Sequence, residues 1–127
     1  MEIGGLDGIL FSNTYLYRFA FYWSGVLVKL TPKYYAKLVT NRPDEIATVN
    51  AGVCGEQRTL HYVNQYGAVG RFEFASKSFR KQWWGDLMTK DTTELECSSL
   101  ADILTNHAAA PSVSHYDFYS DSPSGCL

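Results

Sequence analysis

Strand-like and helix-like stretches alternate over the first fifty or so residues, and that alternation restricts the fold more than any other feature. Met1–Gly8 reads as the end of a buried strand turning through glycines into a loop. Ser12 is a candidate N-cap for a helix reaching about Phe21, with Tyr15, Leu16, Phe19 and Ala20 at helical spacing. Ser24-Gly25 break it, and Val26–Leu30 is a short apolar run of the kind found in a strand covered on both faces. Thr31-Pro32 caps a second helix continuing from Lys33 to Val39; Asn41–Asp44 turns, and Ala47–Val53 reads as a third strand running into a loop. Strand, helix, strand, helix, strand with short links is the pattern of right-handed βαβ units on a parallel sheet.

The pattern then loosens. Arg58–Val63 alternates like a half-exposed strand, and Gly70–Ala75 is placed to pair with it as a hairpin. Ser76–Trp84 suits a short helix, Lys90–Thr93 a polar loop, and Leu100–Asn106 a further helix stopped by Pro111. Val113–Tyr119 is the fourth parallel-sheet candidate, and Asp121–Leu127 reads as a loop or tail. The expected fold is therefore α/β: a partial Rossmann-like domain with parallel strand order 3-2-1-4 and an inserted hairpin after the third strand. With no further strands after the fourth, that strand is an unprotected edge, open to self-association.

Composition narrows the function classes. A chain of 127 residues fits one domain, and its 46% apolar content supports a packed core rather than disorder. A net charge of -2 provides no basic field for phosphate backbones, which argues against nucleic acid. Cys54, Cys97 and Cys126 form no C-x-x-C pair, so neither a disulfide framework nor a zinc site is expected; His61, His107 and His115 are scattered, and no metal is expected. Glu2 and Asp7 fall where a secretory leader carries basic residues, which points to a cytoplasmic protein. Asn13, Arg18 and Ser24-Gly25 interrupt the apolar run from Ile9 to Val28, so membrane insertion is not expected.

The opening loop is the first candidate for chemistry. Glycines at 4, 5 and 8 allow a ligand to approach the backbone, and the helix that follows would aim free N–H groups at the same place. The loop is not G-x-G-x-x-G, and Glu2 and Asp7 would crowd a pyrophosphate. Two acids suit a cofactor bearing an ammonium or sulfonium group. A purely structural turn fits the same residues. At the end of the second strand, where such folds place an acid for the ribose hydroxyls, the chain has Lys29, a donor that cannot accept two protons. A solvated lysine at a strand end is the simpler reading of it.

Four stretches carry a resemblance: M-E-I-G-G-L-D-G-I-L-F-S-N-T-Y (1–15), W-S-G-V-L-V-K-L-T-P-K-Y-Y-A-K-L-V-T-N-R-P (23–43), V-N-A-G-V-C-G-E (49–56) and L-A-D-I-L-T-N-H-A-A-A-P-S-V-S-H-Y-D-F-Y-S (100–120). In that order they resemble the FkbM-type methyltransferases, a branch of the class I S-adenosylmethionine-dependent enzymes. The resemblance implies S-adenosylmethionine as cofactor and O-methyl transfer to a hydroxyl of a sugar-like or natural-product-like small molecule. It implies that Glu2, Gly4 and Gly5 form the first cofactor motif, with Asp7 and Gly8 completing the turn. Asn13, between Ser12 and Thr14, would lie near the cofactor carboxylate, and Asn50 and Ala51 near the adenine.

Two departures accompany the likeness. Val28-Lys29-Leu30 stands where the family commonly reads V-E-P. Ser120-Asp121-Ser122-Pro123-Ser124-Gly125 stands for S-L-D-x-E-G, so Ser122 and Ser124 replace acids and Asp121 is the remaining catalytic candidate. The chain also matches only part of the family's domain. The alternative is a catalytically inactive remnant or interaction module of the same fold. A Rossmann oxidoreductase with Lys29 on a 2′-phosphate is a third reading. Phe72, Phe74, Phe79, Trp83 and Trp84 read as core or as an acceptor wall.

Overall fold

The computed structural model describes residues 1–65, 68–106 and 113–121. The chain is mixed α/β and is built on two four-stranded sheets. The first is parallel throughout and contains β1 (Glu2–Ile3), β2 (Val26–Val28), β3 (Ala47–Val49) and β8 (Ser120–Asp121). Their order is β3-β2-β1-β8, the expected 3-2-1-4. Helix α1 (Tyr15–Phe21) links β1 to β2, and α2 (Pro32–Asn41) links β2 to β3. The apolar run of β2 is buried along its whole length, as its composition requires.

The third strand divides where the sequence shows one run. β3 stops at Val49, the chain passes Asn50-Ala51, and β4 (Gly52–Val53) joins the second sheet. That sheet, in order β4-β7-β5-β6, contains the hairpin of β5 (Arg58–Gln65) and β6 (Ala68–Arg71), together with β7 (Thr93–Ser98). A hairpin was expected with its second strand over Gly70–Ala75; that strand is Ala68–Arg71 instead, Phe72–Phe74 being a 3-10 turn, and β7 was not expected at all. Thr93-Glu94-Leu95-Glu96 alternates too weakly to declare a strand, and only its pairing with β5, 31 to 39 positions away, makes it one (Tyr62↔Thr93 to Arg58↔Cys97). Ser76–Trp84 is a short helix, α3 (Lys77–Phe79), followed by a π-type turn over Arg80–Trp84. Helix α4 spans Leu100–Asn106 as expected. Pro111, His107, Ser122, Ser124 and Cys126 lie outside the described residues. The fourth strand forms at Ser120–Asp121, just beyond the stretch expected for it.

One core cluster, Val26, Val28, Val49 and Ile103, fills the face of the first sheet that α4 covers, with Met1, Ile3 and Leu104 packed against it. Val63 and Trp84 centre a smaller cluster on the second sheet. The expected aromatic group divides accordingly. Trp84 is core, stacked on Phe72, whereas Phe74, Phe79 and Trp83 are exposed.

Within the second sheet, β4 and β7 are joined by a covalent bond the sequence reading did not expect. Cys54 and Cys97 form a disulfide with Cα atoms 5.9 Å apart. Parallel pairing of β4 with β7 sets Gly52 opposite Cys97 and so brings Cys54 beside it, a proximity no linear spacing could reveal.

Candidate functional site

The carboxyl ends of β1, β2, β3 and β8 are where an open α/β sheet ordinarily binds its ligand, in the crevice where the strand order reverses. Glu2, Gly4, Gly5, Asp7, Gly8, Asn13, Lys29, Asn50, Ala51 and Asp121 lie in these strands or on the loops that leave them. Their side chains are largely turned toward the protein's own backbone and charges.

Glu2 is 2% exposed. Its Oε1 accepts from the Asn13 N–H at 2.6 Å, and its Oε2 accepts from Ser12 Oγ at 2.7 Å and Thr14 Oγ1 at 2.6 Å. This explains why α1 starts at Tyr15 rather than near Ser12. The hydroxyls that would cap the helix are drawn to the buried carboxylate, and Thr14 makes no capping bond. Gly5 is glycine for the same reason. A Cβ built there would stand 2.7 Å from Glu2 Oε2. Gly8 has φ +83°, and a Cβ on it would meet Arg42 Cγ at 2.8 Å. Gly4, at φ 107°, completes a loop whose conformation L side chains resist. Asp7 Oδ1 accepts from the N–H groups of Ile9 and Leu10 at 3.1 and 2.9 Å, closing the turn. The glycines thus make room for the protein's own side chains. We expect Gly5→Ala to lower stability by about 1–3 kcal/mol in urea unfolding, whereas Gly55→Ala, with nothing within 4 Å of the new Cβ, changes little.

Behind the loop lies a buried ionic network. Arg42 and Glu45 side chains are 2% and 1% exposed, with Nη2 and Oε1 2.6 Å apart. Arg42 Nη1 also donates to Gly8 O at 3.0 Å and Ser12 Oγ at 3.3 Å, and Nη2 to Thr14 Oγ1 at 3.3 Å. Glu45 Oε2 accepts from the Gly25 N–H at 2.6 Å, and Arg18 approaches Oε1 at 3.9 Å. Neither Arg42 nor Glu45 was singled out from the sequence. Asn41–Asp44 reads there as a turn, and only the packing of Arg42 on the glycine loop shows that it braces the site.

Lys29 is not the solvated lysine expected at a strand end. It is 0% exposed, and its Nζ donates to Gly4 O at 3.2 Å while lying over the Tyr34 ring at 5.6 Å. Asn50 Nδ2 donates to Lys29 O and Leu30 O at 2.7 and 2.8 Å, tying the end of β3 to the end of β2. Ala51 packs into the main core. Asn13 Nδ2 donates to Ser120 Oγ at 2.8 Å, which joins the first loop to β8, and Asp121 is exposed one residue further on.

S-adenosylmethionine presents two ribose hydroxyls to the end of the second strand, and binding them calls for an acceptor. This chain offers a buried lysine nitrogen there, already donating to the loop. The carboxylate at position 2 is likewise taken up by three internal donors. The residues present do not fit that cofactor.

Elsewhere, His61 Nδ1 lies 2.5 Å from Glu73 Oε1 on the second sheet. Burial pushes the Glu73 carboxyl up, but hydrogen bonds from the His61 side chain and backbone outweigh it and hold it below its ordinary value. No group of three or more His, Cys, Asp or Glu among the described residues is placed to hold a metal. None of the described helices is long and apolar enough to cross a membrane. Compared with protein-family models, curated proteins and solved structures, the chain matches none.

Proposed function

We propose that this chain is a non-catalytic module on a methyltransferase-type half-sheet, descended from the FkbM-type enzymes it resembles, with its cofactor crevice closed by its own side chains. One observation carries the reading: the fully buried Lys29, whose Nζ holds the Gly4 carbonyl at the end of β2. Two acids in the opening loop suggested a cationic ligand, and both accept from the loop's own hydroxyl and N–H donors. Ligand binding on such a scaffold would have to break these contacts and desolvate a positive charge beside Lys29.

Methyl transfer to a small-molecule hydroxyl remains the second reading, supported by the 3-2-1-4 strand order and the glycine loop at the carboxyl edge. Asp121 would be its acid, exposed beside Ile3 in the β1–β8 ladder. Isothermal titration of the chain with S-adenosylmethionine separates the two. We expect no heat of binding up to millimolar ligand, and saturable binding would sink the non-catalytic reading. Self-association through β8 also belongs to this proposal, although a two-residue edge ending in an exposed aspartate gives a partner strand little to pair with.

A further inference from the structure

Period-two alternation along β5 turns Arg58, Leu60 and Tyr62 to one face of the second sheet and Thr59, His61 and Val63 to the other. Register then sorts the charges. Glu96 stands opposite Thr59 and Glu94 opposite His61, whereas Arg58, Leu60 and Tyr62 stand opposite Cys97, Leu95 and Thr93. Glu73 is drawn to His61 as well, accepting from its backbone N–H at 2.9 Å and meeting its ring Nδ1. The carboxylates of this sheet thus gather on the His61 face. On the opposite face stands Arg71, set across from Tyr62 by the β5–β6 pairing and so on the same side as Arg58.

One ring brings the two arginines together. β6 ends at Arg71, and the 3-10 turn that follows breaks the alternation: Phe72 stacks on Trp84 beside Val63, while Phe74 comes to the arginines. Arg71 Cζ lies 4.5 Å and Arg58 Cζ 5.4 Å from the Phe74 centroid, each a cation–π contact. The two charges are therefore no more than about 10 Å apart, close to one Debye length at moderate salt, and they repel. Among the described residues, neither guanidinium is paired with a carboxylate, and the buried Arg71 Nε has no acceptor. Arg42 is the contrast, its donors taken by Glu45, Gly8, Ser12 and Thr14. Stacking on a ring uses the face of a guanidinium and leaves its N–H edge on offer.

We propose that Arg58 and Arg71, set around Phe74, bind a doubly charged tetrahedral oxyanion: the phosphoryl group of a small phosphate ester. Two guanidinium forks match the charge and the several oxygens of a phosphoryl group, each oxygen held at about 2.7–2.9 Å from a donor nitrogen. A single carboxylate would neutralise one arginine and leave the other repelled. The Phe74 ring, 58% exposed, holds both forks in place, so little side-chain freedom is lost when the anion arrives. Two arginines on one ring make a site for one phosphoryl group. A nucleic-acid backbone needs a longer track of charge, and this chain of net charge -2 has none.

The test is titration of the isotope-labelled 127-residue chain with inorganic phosphate at constant ionic strength, followed by NMR of the arginine Nε–H groups. We expect saturable shifts in the low-millimolar range at Arg58 and Arg71, and the same signals moved by phenyl phosphate with equal or higher affinity. Arg58→Gln and Arg71→Gln should each weaken binding about tenfold. Arg58→Lys should weaken it too, because a lysine keeps the charge and loses the fork. Arg58 is exposed, so its variants read the site whether or not Arg71→Gln folds. Lys33→Gln, which removes the same charge from the exposed surface of α2, should leave the affinity within about twofold. Equal shifts from chloride or acetate would show screening alone and overturn the proposal. So would the absence of saturation, phosphate binding that the ester does not share, or a loss in Lys33→Gln as large as in Arg58→Gln. None of these residues belongs to the carboxyl-end crevice, so the result is independent of the S-adenosylmethionine titration.

Discussion

Arg42→Met should destabilise the chain by about 3–5 kcal/mol, a large fraction of the ordinary 5–15 kcal/mol stability of such domains. The guanidinium makes two close contacts with Glu45 Oε1, Nε at 2.7 Å and Nη2 at 2.6 Å, and reaches Gly8 O, Ser12 and Thr14 with its remaining donors. Removing it strands a Glu45 carboxylate that is 1% exposed, leaving it the Gly25 N–H and a distant Arg18. Removing both charges should behave differently. A buried ion pair replaced by apolar side chains of similar volume is often near neutral, because its Coulomb gain barely exceeds the cost of desolvation. Arg42→Met with Glu45→Met should therefore recover most of the loss, leaving only the bonds to Gly8, Ser12, Thr14 and Gly25. Urea unfolding of the two single variants and the double variant measures the coupling. An Arg42→Met variant within about 1 kcal/mol of the parent would show that the network is not holding the loop.

This network also shows what was legible in the sequence. Alternation of strand-like and helix-like stretches sufficed for the first sheet, because β2 and its helices declare themselves by local pattern. The order 3-2-1-4 then follows from handedness rules. The second sheet was half legible. A hairpin is a local event, but β7 exists only through pairing with distant β5, and β4 only because the chain changes sheets after Val49. For the site, residue identity indicated where the loop was but not what its groups would meet. The glycines at 5 and 8 read as room for a ligand, while the space is used by Glu2 and Arg42. Lys29 reads as surface because lysine usually is, yet the end of β2 is sealed beneath Gly4 and Tyr34. Packing decides both questions, with contacts such as Gly8 to Arg42 and Gly4 to Lys29 lying 34 and 25 positions apart, and no spacing rule encodes them.

Reduction of Cys54–Cys97 should have the other large effect. The bond closes a loop of 43 residues, and removing that constraint from the unfolded chain costs about 4 kcal/mol by loop entropy. For a domain of this size the melting temperature should fall by roughly 10–20 °C. The loss should concentrate in the second sheet, since β4 offers two residues to β7 and depends on the bridge to stay paired. Hydrogen exchange should therefore show β4 opening first, while β2, buried throughout, stays protected. Cys97→Ala should reproduce the fall without reductant, although a side chain 1% exposed adds a small cavity cost of its own. Alkylation of the denatured, non-reduced chain provides the independent check. One of its three cysteines should be labelled. Three labels, or melting curves that coincide with and without reductant, would refute the bridge. The outcome also bears on compartment. Bridges of this kind persist where conditions are oxidising. A bond that withstands glutathione at cytoplasmic concentration would be compatible with a reducing compartment, and one that opens readily would require an oxidising one.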